Sequence, residues 1–168
     1  MNRLLASNFS RLLKSKVFWI TIAGMLLYGV GTCISSYQNQ IKYDTAVTLD
    51  GIFFLHMMLS GACCAVFCSL FIGTEYSDGT IRNKLMIGHR RSSIYLSNLI
   101  VSSAAGLLMC LIYFMTVSAI GIPLFGFLQT DPKIIWLMIL NSALLIISYC
   151  SVFTMLSMLS QNKAVVAV

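Results

Sequence analysis

Apolar residues in this chain come in long runs, and polar residues are confined to the stretches between them. Four runs stand out: Val17 to Ser36, Ile52 to Gly73, Leu96 to Gly121 and Ile134 to Leu159. None contains Asp, Glu, Lys or Arg. Each holds at least 20 residues, and a helix needs about 20 to cross the hydrocarbon core of a bilayer. A lipid-embedded backbone must satisfy its own hydrogen bonds, so the runs are predicted to be helices. Strands of a membrane barrel would be about 10 residues long and would alternate in polarity, which these runs do not. The first run is too long for a secretory signal and lacks a small-residue cleavage site at its end. The expected fold class is all-α: a polytopic transmembrane helical bundle with four complete spans (17–36, 52–73, 96–121 and 134–159).

The polar stretches predict two further elements. In residues 1–16, Leu5, Phe9, Leu12 and Lys16 share one helical face, flanked by Leu4 and Leu13. Arg3, Ser7, Ser10, Arg11 and Lys14 are polar. This pattern predicts a basic amphipathic helix lying along the membrane surface, its cations among anionic headgroups. Arg3, Arg11, Lys14, Lys16 and Trp19 are the expected interface residues; the bland alternative is an unstructured basic start. In the 74–95 loop, Asp78-Gly79 is a turn signal. Thr80 is placed to N-cap a short helix with Ile81, Leu85 and Met86 on one face, and Arg82, Asn83 and Lys84 around it. Gly88 would stop that helix, and Ser92 would cap the third span.

Composition adds the membrane's signature and its polarity. The chain is 58% hydrophobic and 10% charged, with a net charge of +6, whereas a soluble domain carries about 25% charged residues. Basic residues alternate between the segments: four before the first span and one, Lys42, after it beside Asp44 and Asp50. Four follow in the 74–95 loop (Arg82, Lys84, Arg90 and Arg91), then Lys133 beside Asp131, then Lys163. The bias places the N-terminus, the 74–95 loop and Lys163 in the cytoplasm, so that nine of the eleven basic residues lie inside. Topology thus accounts for the net charge. A nucleic-acid partner, which needs that charge on one soluble face, is not expected. Trp19 and Tyr95 fall at the inner interface, Tyr37 and Trp136 at the outer.

Candidate chemistry is sparse. Cys33, Cys63, Cys64, Cys68, Cys110 and Cys150 all fall within spans. They contain no C-x-x-C pair and no adjacent His or carboxylate, so they read as small packing residues and no metal is expected. The spans lack the ionisable residues of ion-driven transporters; His56 reads as a packing or interfacial residue. No G-x-x-x-x-G-K-[ST] loop is present, so ATP chemistry would belong to another chain. An intramembrane enzyme would need a polar constellation at depth. Ser60, Ser102, Ser103, Ser118, Asn141, Ser142 and Ser148 are the available groups, and such residues usually bond between helices. The spacings Gly61 to Ala65 and Ser102 to Gly106 suit close helix packing.

The run Gly73-Thr74-Glu75-Tyr76-Ser77-Asp78-Gly79-Thr80-Ile81-Arg82-Asn83-Lys84-Leu85, with Gly88-His89-Arg90-Arg91 and Ile94-Tyr95-Leu96-Ser97, resembles the ABC-2 family of ABC transporter permeases. In style it is similar to bacterial permeases of antibiotic-export and lantibiotic-immunity systems. The resemblance implies one permease domain over 1–168 in a bacterial plasma membrane. It implies a second permease half, identical or not, and cytoplasmic ABC ATPase subunits that bind ATP and Mg; this chain would hold no cofactor. It also implies that the 74–95 loop is the ATPase-coupling element, carried by Glu75, Asp78, Gly79, Thr80, Arg82, Asn83, Lys84 and Leu85. Family permeases have six spans. Ala164 to Val168 reads as the opening of a fifth, so the chain is expected to be the N-terminal portion of such a subunit, a fragment or a truncated gene product. The expected function is ATP-driven export of a hydrophobic or amphipathic compound such as a peptide antibiotic. A non-catalytic membrane immunity or sensor protein, and an intramembrane enzyme, are the alternatives.

Overall fold

Long charge-free stretches leave the backbone no partner but itself, and the computed structural model is accordingly helical. It describes residues 2–43, 48–88 and 90–160; Asp44, His89, Lys163 and the start of the expected fifth span, 164–168, lie outside the described residues, as does the side chain of Arg3. In chain order the helices are α1 (Asn2–Lys14), α2 (Lys16–Tyr43), α3 (Leu49–Phe53), α4 (His56–Ser77), α5 (Thr80–Met86), α6 (Arg91–Phe125) and α7 (Pro132–Ser160). α2, α3 with α4, α6 and α7 are long and apolar enough to cross a membrane. This chain is an integral membrane protein. The four spans stand where the apolar runs predict them, but the helices outlast the runs. α2, for example, has 28 residues, about 42 Å of helix against a hydrocarbon core of about 30 Å.

Several local expectations are corrected. Thr80 does not cap α5; it is the helix's first residue, and Gly79 is the cap with φ of 68°. That left-handed conformation is open to glycine without steric cost, and it lets the chain turn from α4 into α5. Ser92 does not cap the third span, because α6 starts one residue earlier behind Arg90. α4 does not stop at Gly73 but runs to Ser77, which carries Glu75 inside a helix. Gly88 follows α5 with φ of 92°, as its expected role as a stop requires. Pro123 sits within the last turn of α6, and the helix ends at Phe125 before Gly126.

The core lies between α2, α4, α6 and α7, with α1 against the start of α6. Its centre is aromatic and sulfurous: Phe67, Phe71, Tyr113, Cys64, Cys68, Cys110 and Cys150. Glycines permit the closest approaches. A Cβ on Gly106 would lie 2.7 Å from Ile146 Cγ2 and 3.4 Å from Cys150 Sγ, so α6 and α7 meet there backbone to side chain. Gly61 takes the ring of Tyr149 in the same way. Two hydroxyls tie α4 and α6 to the last turns of α7. Tyr76 donates to the Met158 carbonyl at 3.0 Å, and Tyr95 to that of Ser151 at 3.4 Å.

A candidate functional site around Glu75

Helices α1, α4, α5 and α6 converge on one carboxylate. Glu75 is 1% exposed. α4 places it two residues beyond the apolar run, just where the helix still packs against α6. A buried carboxylate without partners would be strongly disfavoured, and here each oxygen is satisfied. Oε1 pairs with both the Arg11 guanidinium from α1 and the Lys84 ammonium from α5. Oε2 accepts from Asn98 Nδ2 of α6 at 2.6 Å.

Asn8 closes the network. Its Nδ2 donates to Asn98 Oδ1 at 2.6 Å and to Ser97 Oγ at 2.9 Å, and its Oδ1 accepts from Lys84 Nζ at 2.9 Å. Arg11 is held at two further points: Nη2 donates to the Phe71 carbonyl at 3.0 Å, and the guanidinium lies 4.1 Å over the Phe71 ring. Burial pushes the Arg11 guanidinium below its ordinary pKa, and the charge of Glu75 opposes that shift. Helix α5 is thereby fastened to the bundle by Lys84 and by the buried Ile81, and α1 by Asn8, Arg11, Leu4 and Leu12.

The expected site residues divide into two groups. Glu75 and Lys84 face inward. Asp78 and Gly79 form the turn, where the Asp78 N–H bonds the Thr74 carbonyl at 2.9 Å. Thr80 is half-buried, while Arg82 and Asn83 face outward and Leu85 is 37% exposed. The three-residue apolar face expected of α5 is corrected: Ile81 is buried, whereas Met86 is 72% exposed.

α1 is also rotated from expectation. Leu4, Asn8 and Leu12 form its buried stripe, and Phe9 and Leu13 face outward. The physical reason is the Glu75 centre: Arg11 pairs with the carboxylate itself, and Asn8 bonds the Lys84 and Asn98 side chains that hold it. Arg11 is thus corrected from a headgroup contact to an internal ion-pair partner. Lys14, Lys16 and Trp19 stay exposed, and Trp19 Nε1 donates to the Leu13 carbonyl at 2.9 Å. Asn8, Ser97 and Asn98 are functional candidates that sequence reasoning missed. An Asn on an otherwise apolar face of each helix was the available signal.

Elsewhere the polar side chains are absorbed by packing. His56 lies between the Phe53 carbonyl and Cys110 Sγ, each 3.3 Å from a ring nitrogen. Among the described residues no group of three or more His, Cys, Asp or Glu is placed to hold a metal ion.

The family model for "ABC-2 family transporter protein" matches residues 4–168. No curated protein and no solved structure matches the chain.

Proposed function

The chain belongs to the ABC-2 family and is a membrane permease of an ABC transporter, and from that premise we propose that the Glu75 centre is where ATP-driven motion enters the spans. Cytoplasmic ATPase subunits dock beneath α5, bind ATP and Mg, and close on each other. The motion of α5 passes through Lys84 and Glu75 to α4, and through Asn98 and Arg11 to α6 and α1. A second permease half completes the pathway, and a hydrophobic or amphipathic compound, such as a peptide antibiotic, is moved outward. In this reading the N-terminus and α5 are cytoplasmic, as the distribution of Lys and Arg supports.

One observation carries the proposal. A single buried carboxylate binds the loop helix, the N-terminal helix and two spans. A loop meant only to connect two spans has no need of such a costly centre. A rigid joint, by contrast, lets a push on α5 reach the spans undiminished. The absence of Asp, Glu, Lys and Arg between His56 and Gly73 also favours an external energy source.

The test is co-purification with the ATPase subunit of the same transporter, comparing wild type with Glu75→Ala and Gly79→Pro. Both variants are expected to lose transport-linked stimulation of ATP hydrolysis. Unchanged association and stimulation in both would refute the coupling role.

A further inference from the structure

Midway along the spans, α2, α4, α6 and α7 enclose a small cavity of about 10 Å³. Its lining is rich in soft donor atoms: Met25, His56, Cys63, Cys64, Met109 and Cys110. All of these but Cys63 are buried. Two of them face each other, with His56 Nε2 3.3 Å from Cys110 Sγ, although 54 residues separate them in the chain. The other ring nitrogen, Nδ1, lies 3.3 Å from the Phe53 carbonyl. A carbonyl only accepts, so Nδ1 carries the ring proton, and the neutral imidazole presents an unprotonated Nε2 to the thiol. Metal-ligating histidines are oriented in this way, by a backbone carbonyl on the second nitrogen. A thioether is held in the same wall, where Cys63 Sγ donates to Met25 Sδ at 3.9 Å.

We propose that His56 and Cys110 bind a soft monovalent metal ion, Cu(I), with the thioethers of Met25 and Met109 completing its coordination. Binding exchanges one proton for one ion. The Cys110 S–H bond breaks, the sulfur keeps the electron pair and bonds the metal, Nε2 gives its lone pair, and the proton leaves to solvent. Nothing is oxidised or reduced. The site shares no residue with the Glu75 centre and does not rest on the coupling role.

Charge, donor type and space select this ion. One thiolate, one neutral imidazole and one monovalent ion sum to zero, so the occupied site adds no charge to an interior that disfavours it. A divalent ion would leave a net positive charge, and no carboxylate lines the cavity. Among the described residues no third His, Cys, Asp or Glu joins the pair to hold a metal. That leaves out tetrahedral zinc, which takes four such ligands in a structural site, but not an ion that accepts thioethers, as Cu(I) does. The cavity is about the smallest that admits one water-sized guest. With bonds of about 2.0 Å to imidazole and about 2.3 Å to thiolate, an ion shared across 3.3 Å has an N–metal–S angle of about 100°, which leaves its other side open to methionine sulfur. Cys150 offers no such pairing, because its Sγ is spent on Cys64 Sγ and the Ser102 carbonyl.

The experiment titrates the full chain in lipid nanodiscs with Cu(I), without oxygen and against a competing chelator. Wild type is expected to bind one equivalent, and X-ray absorption to show both nitrogen and sulfur around the copper. Cys110→Ser and His56→Leu are each expected to weaken binding by at least about a hundredfold. Met25→Leu and Met109→Leu, which keep volume and lose only the sulfur, are expected to weaken it by about tenfold each. Cys150→Ser is expected to bind as wild type does, and equimolar Zn(II) is expected not to displace the copper. Wild type that binds no Cu(I) would overturn the site. So would unchanged affinity in Cys110→Ser and His56→Leu, which would put the ion on other thiols. A shell of sulfur alone around the copper in wild type overturns it as well, and that measurement needs no variant to fold. Displacement by Zn(II) would overturn the charge argument and the assignment with it. None of these results bears on Glu75, so the coupling role stands or falls separately.

Discussion

Replacing Glu75 with Gln tests the central joint most directly. Gln keeps the shape and one carbonyl oxygen, but it removes the charge and turns an N–H2 group toward a site already full of donors. Arg11, Lys84 and Asn98 would then compete for one neutral acceptor. Removing one partner of a buried ion pair costs about 3–5 kcal/mol. Here the Glu75 side chain is fully buried, but Arg11 and Lys84 keep 29% and 11% exposure, so both cations can partly rehydrate. The expected loss therefore falls below that range, to about 2–3 kcal/mol. For a chain of this size 1 kcal/mol shifts the melting temperature by about 2–4 °C, so a drop of about 5–10 °C is expected. The detergent-solubilised chain carries its own reporters. Cys33, Cys64, Cys68, Cys110 and Cys150 are buried and free, and a thiol-reactive dye reads their exposure on heating. Hydrogen exchange should rise most in α1 and α5, which the centre fastens. Glu75→Gln and Lys84→Gln should be markedly non-additive, because they break the same pair. A melting temperature within about 1 °C of wild type, with unchanged exchange in α1 and α5, would refute the reasoning.

Other consequences follow from packing and topology. Gly106→Ala forces a methyl to within 2.7 Å of Ile146 Cγ2 and should destabilise by about 1–3 kcal/mol; Gly24→Ala meets nothing within 4 Å and should be neutral or mildly stabilising in the same melt. Gly79→Ala must hold a side chain at φ of 68° and should cost about 1 kcal/mol, with α5 exchange raised more than that of the spans. An impermeant thiol reagent applied outside intact cells should label Lys133→Cys and spare Arg82→Cys; the reverse pattern would invert the proposed orientation.

The spans were legible because hydrophobicity acts residue by residue. Four charge-free runs meet the length of a bilayer whatever packs against them. Glycine conformations were partly legible as well: Asp78-Gly79 and Gly88 mark turns because few other residues tolerate their φ. The rotation of α1 was not. Period alone favours Phe9 on the apolar face, and nothing local says that Asn8 and Arg11 turn inward. For Arg11 that preference comes from a carboxylate 64 residues away in sequence, and for Asn8 from Lys84, Ser97 and Asn98 gathered around it. The same holds for Lys84, which local pattern counts as a surface cation.

The order of hydrophobic and charged segments by itself determined that this chain is a bundle of membrane helices with basic segments around it. The motif around Glu75 marked the loop as special. Only the tertiary structure decided which loop residues gather around Glu75 and which remain exposed. A buried charge is stable only where its counterions converge, and that convergence is a property of packed helices. Glu75 draws Arg11, Lys84 and Asn98 inward, and so leaves Met86 and Ile87 outside.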